Sequence, residues 1–413
     1  MAEKHILLLP AENYGDWVGV AVEYALKFGV NFTPDPNVAG KHMHPEQVVT
    51  VVIAPGAHAA QGGDIVAWFQ KNYADVKLDL VRVNTPDDLK KVFAARVASG
   101  KRYGDAAPAP AAPPFFQWKY HALPGMHGPA DPGGAWVAEA YDVIRSSKVR
   151  AVKMLAPDLQ PDEVAQLRAI NPDMFIMARL FNGQMSEPRG DGTPEGAGRW
   201  FANEVADPGD GNNPMNRAYN SGIRHFEVHN EVNLTVEGQG VNWKNGQEFA
   251  RFFNAVVDSL KPRYSEALFG FPGLSPGPTF DVRPIEEYVF YKQAQAAVDR
   301  ADFVCAHVYW GVVGAWQDGV NLTRKACETF PDKLVFISEF SNNNKGVSSD
   351  DKADEYAQYY NACKALPSNL GAMFIYVLSW RDDHNREGFL NLSEDKSRWE
   401  PTGRAARLGT HKF

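Results

Sequence analysis

Cysteine is scarce: 413 residues carry only Cys305, Cys327 and Cys363, an odd number without metal-ligand spacing. A disulfide framework and a zinc knuckle are thereby excluded, and buried free thiols are expected. Long hydrophobic runs are missing as well. The longest, 372–378, falls far short of the roughly 20 apolar residues of a membrane helix, so no membrane span is expected. Positive charge is not in excess, since 42 Lys and Arg stand against 50 Asp and Glu for a formal charge of −8. That balance argues against a general phosphate-binding surface and against a nucleic-acid partner. No signal-peptide core is visible in Met1-Ala2-Glu3-Lys4 and the short apolar run 5–9, so the chain as written starts as a cytoplasmic protein, with secretion open to a form bearing another N-terminus.

What is present, 44% hydrophobic and 22% charged residues, suffices for a globular core. The length is two to three times that of an ordinary domain, and composition shifts most sharply at the Pro/Ala tract 106–114. We place a small α/β accessory domain of unassigned role at 1–104, a linker at 105–114 and a large domain at 115–413. In the first, apolar runs at 6–9, 48–54 and 76–83 alternate with helical patterns at 17–28, 65–73 and 86–98. Thr85-Pro86-Asp87-Asp88 is a helix start: a capping side chain, a proline at the first helical position and two acids in the first turn. Trp17, Trp68 and Tyr73 at helical spacing are expected in the core.

The second domain continues the alternation. Strands are expected at 122–127, 149–155, 174–180, 223–229, 267–271, 303–309, 334–339 and 372–378, with helices at 135–145, 161–170, 246–260, 285–297, 321–330 and 350–366. Eight strands in about 300 residues fit an α/β fold of the (β/α)8 barrel type. A doubly wound open sheet is the rival, but it predicts a glycine-rich phosphate turn after its first strand, and neither GxGxxG nor GxxxxGK[ST] occurs.

In a barrel, chemistry sits at the C-terminal strand ends. Strand four delivers Asn230 and Glu231, strand six passes through His307 and Tyr309, and strand seven is almost wholly apolar until it ends in Glu339. A carboxylate after such a run needs a polar cavity or a partner. Glutamates at the exits of strands four and seven face one another across the mouth. Double-displacement glycosidases need this arrangement: one acid protonates the leaving oxygen, and the other attacks the anomeric carbon from about 5 Å away. Asn230, His307 and Tyr309 are candidate neighbours that set the two carboxyl groups apart.

These segments, with Ile337-Ser338-Glu339-Phe340, Tyr376-Val377-Leu378-Ser379-Trp380 and the closing 388–392 and 399–401, resemble the clan of retaining (β/α)8 glycosidases whose catalytic glutamates lie on strands four and seven. The resemblance covers roughly 115–413. It implies Glu231 as acid/base, Glu339 as nucleophile, Asn230 on the sugar 2-hydroxyl, Tyr309 as a donor to Glu339, His307 beside the acid/base and Trp380 beneath the sugar. It implies no cofactor or metal and an oligo- or polysaccharide substrate. The chain departs from the clan in one respect: where an arginine is often found on strand two, it offers Lys153, and Arg179 lies on strand three.

Other residues stay open. Trp310 and Trp316 after strand six serve either as sugar platforms or as loop packing, and His127 at the exit of strand one either reaches substrate or does not. Arg189-Gly190-Asp191 is read as a chance tripeptide, 207–212 as a turn, 350–355 as an acidic helix start, and the second Asn-Glu pair, Asn203-Glu204, as helix. Two rival functions remain: a metal-dependent barrel hydrolase or sugar isomerase using His127, His229, His307 and a glutamate, and a carbohydrate-binding protein on a catalytically silent barrel.

Overall fold

The computed structural model describes residues 5–41, 48–55, 57–58, 61, 64–104, 118–130, 136–380, 387–395 and 397–413. The chain divides into two compact units, Met1–Ala112 and Pro113–Phe413. The tract 105–114, expected as a linker, lies outside the described residues. No helix among the described residues is long and apolar enough to cross a membrane.

The first unit runs β1 (His5–Leu8), α1 (Tyr14–Phe28), β2 (Asn31–Thr33), α2 (Pro36–Gly40), β3 (Val48–Ile53), α3 (Ile65–Asn72), β4 (Lys77–Arg82) and α4 (Pro86–Ser99). The strands form one parallel sheet in the order β2-β1-β3-β4. Strand alternation sends Leu7 and Val52 to one face, against Trp17, Tyr24 and Phe93, and Ile6, Leu8, Val49 and Val51 to the other, against Phe69. Trp68 and Tyr73 pack partly buried on that second core. The Thr85 hydroxyl accepts from the Asp88 amide and caps α4. The sequence reading missed β2 and α2, because three half-exposed strand residues and a five-residue helix are too short to show a period.

The second unit is a closed parallel barrel of β5 (Leu123–His127), β6 (Ala151–Leu155), β7 (Phe175–Leu180), β8 (His225–Val228), β9 (Leu268–Phe271), β10 (Phe303–Trp310), β11 (Leu334–Asn342) and β12 (Leu370–Ile375), with β12 pairing β5 to close the ring. This is the (β/α)8 architecture expected from the sequence. Helices alternate with the strands, among them α5 (Ala138–Ser147), α6 (Pro161–Ile170), α7 (Pro194–Val205), α8 (Pro214–Asn220) and α9 (Gly246–Leu260). Asn203 and Glu204 are indeed helical, within α7. The single helix expected over 285–297 is two pieces, α10 (Glu287–Gln293) and α11 (Gln295–Arg300), separated at Ala294, where φ −88° and ψ 18° leave helical geometry. Then follow α12 (Trp316–Thr329) and α13 (Ser349–Cys363), and the chain ends in a hairpin of β13 (Leu390–Leu392) and β14 (Trp399–Pro401) and a last helix, α14 (Arg404–Thr410).

The barrel interior explains where chemistry is possible. Its lower part is an apolar plug of Leu123, Ala151, Met177, Phe303, Cys305, Leu334, Phe336 and Phe374. Two residues further along several of the same strands, on the same face, the side chains become Lys153, Arg179, His307 and Ser338, all buried. Charge therefore appears in one layer, above a dry floor.

Candidate active site

The charged layer is a neutralised quartet. Arg179 Nε lies 2.8 Å from Glu227 Oε2, and its Nη1 lies 2.7 Å from Glu339 Oε1. Lys153 Nζ bridges the same two carboxylates at 3.3 and 3.2 Å. Two cations and two anions balance; any one of them buried alone would cost several kcal/mol. Burial alone would lift the carboxyl groups, but Arg179 and Lys153 reverse this for Glu227 and hold it well below the carboxylate range. Glu339 is also held well below that range, by the His307 ring, Lys153 and Arg179 acting against its own burial.

Glu227 had no role in the sequence reading. Its Oε1 accepts from Ser338 Oγ at 2.7 Å and from the Gly273 amide at 3.1 Å, so it ties strands β8, β9 and β11 together beneath the reacting groups. The signal was weak: Glu227 has Phe226 and Val228 beside it, but His225 and His229 beyond them leave the segment too polar for an acid to stand out as Glu339 does.

Glu339 reaches the interior through a bulge. Register between β10 and β11 runs Ala306 to Ile337 and then His307 to Glu339, skipping Ser338. Strict alternation from Phe336 would turn Ser338 inward and Glu339 outward; the extra residue brings both side chains to the cavity. Tyr309 Oη lies 2.5 Å from Glu339 Oε2. Burial pushes the Tyr309 hydroxyl well above its ordinary pKa, so it stays a donor.

Glu231 stands at the exit of β8, where the backbone leaves the strand sharply. His229 (φ 72°) and Glu231 (φ 37°) both adopt left-handed conformations, which cost non-glycine residues about 1–3 kcal/mol each and persist where the surroundings fix them. Here the Glu231 amide donates to Gly273 O at 2.9 Å, and Asn233 and Ser275 exchange two hydrogen bonds. The Glu231 side chain is 18% exposed against 5% for Glu339.

His307 joins the two glutamates. Its Nδ1 lies 2.9 Å from Glu231 Oε1 and 3.7 Å from Glu339 Oε2. These two legs cap the separation of the oxygens at about 6.6 Å, and a ring nitrogen opens on one side only, so the gap is smaller still. The other nitrogen, Nε2, lies 3.2 Å from Arg179 Nη2. A guanidinium only donates, so Nε2 offers its lone pair and Nδ1 carries the proton directed at Glu231. Gly273 makes room for the ring, since a Cβ there would overlap His307 Cδ2 and Nε2.

The remaining candidates are placed as follows. His127 Nδ1 bonds Gly128 O at 2.9 Å and its Nε2 faces Glu339 at 3.9 Å; burial drives its pKa well down, so it lines the site as a neutral ring. Tyr376 lies edge-on between His127 and Trp380, with centroids 5.4 and 5.7 Å away, and carries Trp380 at the rim. Asn230 donates through Nδ2 to Glu237 Oε1 at 3.1 Å. For Trp310, left open between sugar platform and packing, the structure favours packing, against its assignment to substrate. With His307 and Tyr309 inward, it points outward, is 1% exposed, stacks on Phe340 at 5.7 Å and donates to Glu355 at 2.7 Å. Trp316 opens α12 and packs against the same shell. Among the described residues no three His, Cys, Asp or Glu side chains converge as metal ligands would.

No protein-family profile and no curated protein matches the chain. Solved structures do. A glucosidase from Croceicoccus marinus aligns at 16% identity and a TM-score of 0.48, over 70% of this chain and 66% of its own, so the match spans just under two thirds of that protein. An endo-β-1,3-glucanase from Sorangium cellulosum aligns at 14% identity and 0.47, over 70% and 98%. A fungal β-1,4-galactanase aligns at 10% identity and 0.49, over 70% and 99%. These three solved structures are glycoside hydrolases of differing specificity.

Proposed function

We propose that the barrel hydrolyses β-linked glycans with retention, through a covalent glycosyl-enzyme. The observation that carries this reading is the convergence of Glu231 and Glu339 on one nitrogen of His307, with Glu339 the more deeply buried of the two. Glu339 is buried among cations and held ionised, as a nucleophile must be. Glu231 is the more open of the two, and among the described residues its side chain is paired only with His307. The cap of about 6.6 Å includes the retaining separation of about 5–5.5 Å and only touches the inverting range, which begins near 6.5 Å.

In the first step Glu339 Oε2 attacks the anomeric carbon as the bond to the leaving oxygen breaks, and Glu231 supplies that oxygen with its proton. In the second, Glu231 takes a proton from water, the water oxygen bonds to the anomeric carbon, and Glu339 leaves as carboxylate. Tyr309 and Arg179 keep the attacking group aligned in both steps, a contribution of preorganisation. Asn230 meets the 2-hydroxyl and Trp380 the sugar face. Turnover of a panel of aryl β-glycosides and β-glucans tests the reading. Glu231→Gln and Glu339→Gln should each lower kcat by at least about 10³-fold while remaining folded. Near-normal hydrolysis by either variant contradicts it.

A further inference from the structure

We propose that Glu237 is a positioning residue that fixes which end of the Asn230 amide meets the sugar 2-hydroxyl. The inference rests on the glycosidase reading above. Glu237 closes a short 3-10 turn, Thr235–Glu237, six residues beyond Glu231. Backbone bonds hold the turn: Leu234 N to Glu231 O at 2.8 Å, Glu237 N to Leu234 O at 3.1 Å, and Thr235 N to Val282 O at 2.9 Å. The next residue, Gly238, has φ 116°, and a Cβ there would stand 2.7 Å from the ring of Trp243, which is buried and donates to Val232 O. The chain can fold back here only without a side chain, and doing so returns the Glu237 carboxylate to Asn230.

Two observations give that contact a function. Asn230 makes one side-chain hydrogen bond among the described residues, from Nδ2 to Glu237 Oε1, and that bond orients its amide. Its Oδ1 is shielded and has no protein partner there, and a buried acceptor without a donor calls for one from outside the chain. Ionised or protonated, the carboxyl keeps an acceptor oxygen, and here Oε1 takes the NH2 end of the amide, which turns Oδ1 away from it, as the acceptor for a sugar hydroxyl. The second oxygen, Oε2, lies 3.9 Å from His229 Nδ1, and Glu231, Glu339 and Arg179 are the other charged groups acting on the carboxyl.

The test compares an aryl β-glycoside that the wild type hydrolyses with its 2-deoxy analogue. Glu237→Ala is expected to lower kcat/KM on the parent sugar by about 10- to 100-fold, with a loss of no more than about 3-fold on the 2-deoxy analogue. Glu237→Gln, whose carbonyl still accepts from Asn230 Nδ2, should recover to within about 3-fold of wild type. Asn230→Ala/Glu237→Ala should be no slower than Asn230→Ala alone. Equal losses on the two sugars, no loss on either, or additive losses in the double variant would overturn the proposal while leaving the glycosidase reading intact. A wild type that turns over no glycoside overturns both.

Discussion

The hydroxyl of Tyr309 lies 2.5 Å from Oε2 of Glu339, the carboxylate oxygen that also faces Glu231 across the His307 ring. Since burial keeps this phenol protonated, it holds the carboxylate in one rotamer at every working pH. Tyr309→Phe keeps the ring and removes the bond. A charge-assisted hydrogen bond contributes about 1.5–3 kcal/mol, so kcat should fall by about 10- to 100-fold with little change in thermal stability. Unchanged kcat would show that Tyr309 does not orient the nucleophile.

Glu339 is held below the carboxylate range partly by Lys153 at 3.2 Å, which fixes the sign of a pH effect. Activity that needs the ionised form is retained above the lowered pKa and lost as pH falls through it. The acidic limb of kcat/KM in the wild type should therefore lie below 4.5, the ordinary value for a glutamate. Lys153→Met removes one stabilising charge while Arg179 remains, and the limb should move to higher pH. A limb that stays in place, or moves down, contradicts the assignment.

Gly273 has no side chain where the His307 ring passes. Gly273→Ala must push the ring away from Glu231, and overpacking of this kind costs about 1–3 kcal/mol. Activity should drop at least about tenfold, with a lowered urea midpoint. Wild-type activity would mean that the ring position is immaterial.

Glu237 bears on stability as well as on Asn230. Burial first, and then the charges of Glu231 and Glu339, push its carboxyl from 4.5 up to about 7, although Asn230 pulls the other way. A raised folded-state pKa favours the neutral form, so this stability is complete below pH 4.5 and is lost as pH rises through about 7. Glu237→Gln should be more stable than wild type by up to about 3 kcal/mol at pH 8.5, the difference closing toward pH 4.5. Urea unfolding at four pH values checks this, and a difference independent of pH would refute it.

The barrel was legible because most strands are buried on both faces and rich in apolar residues, and because Glu231 follows β8 while Glu339 interrupts the apolar run of β11. Arg179 and Lys153 could be named as uncertain partners, but not their joint grip on Glu339, which depends on Glu227 lying between them. Glu227 sits inside its strand, and reading only the strand ends passed over it. The bulge at Ser338 left no mark in a segment that is apolar on either register. Trp310 could have been placed from the parity of His307 and Tyr309. Glu237 could not, because a return of seven residues to Asn230 depends on a turn at Gly238 that no periodicity encodes.

The most direct test of the central claim is covalent trapping. A 2-deoxy-2-fluoro β-glycoside with a good leaving group, built on whichever sugar the wild type hydrolyses, slows release of the glycosyl-enzyme enough for mass spectrometry. The account expects one sugar added per chain, carried on the peptide that contains Glu339, and no adduct in Glu339→Gln. An adduct on another residue, or inverted first product with no adduct, would contradict it.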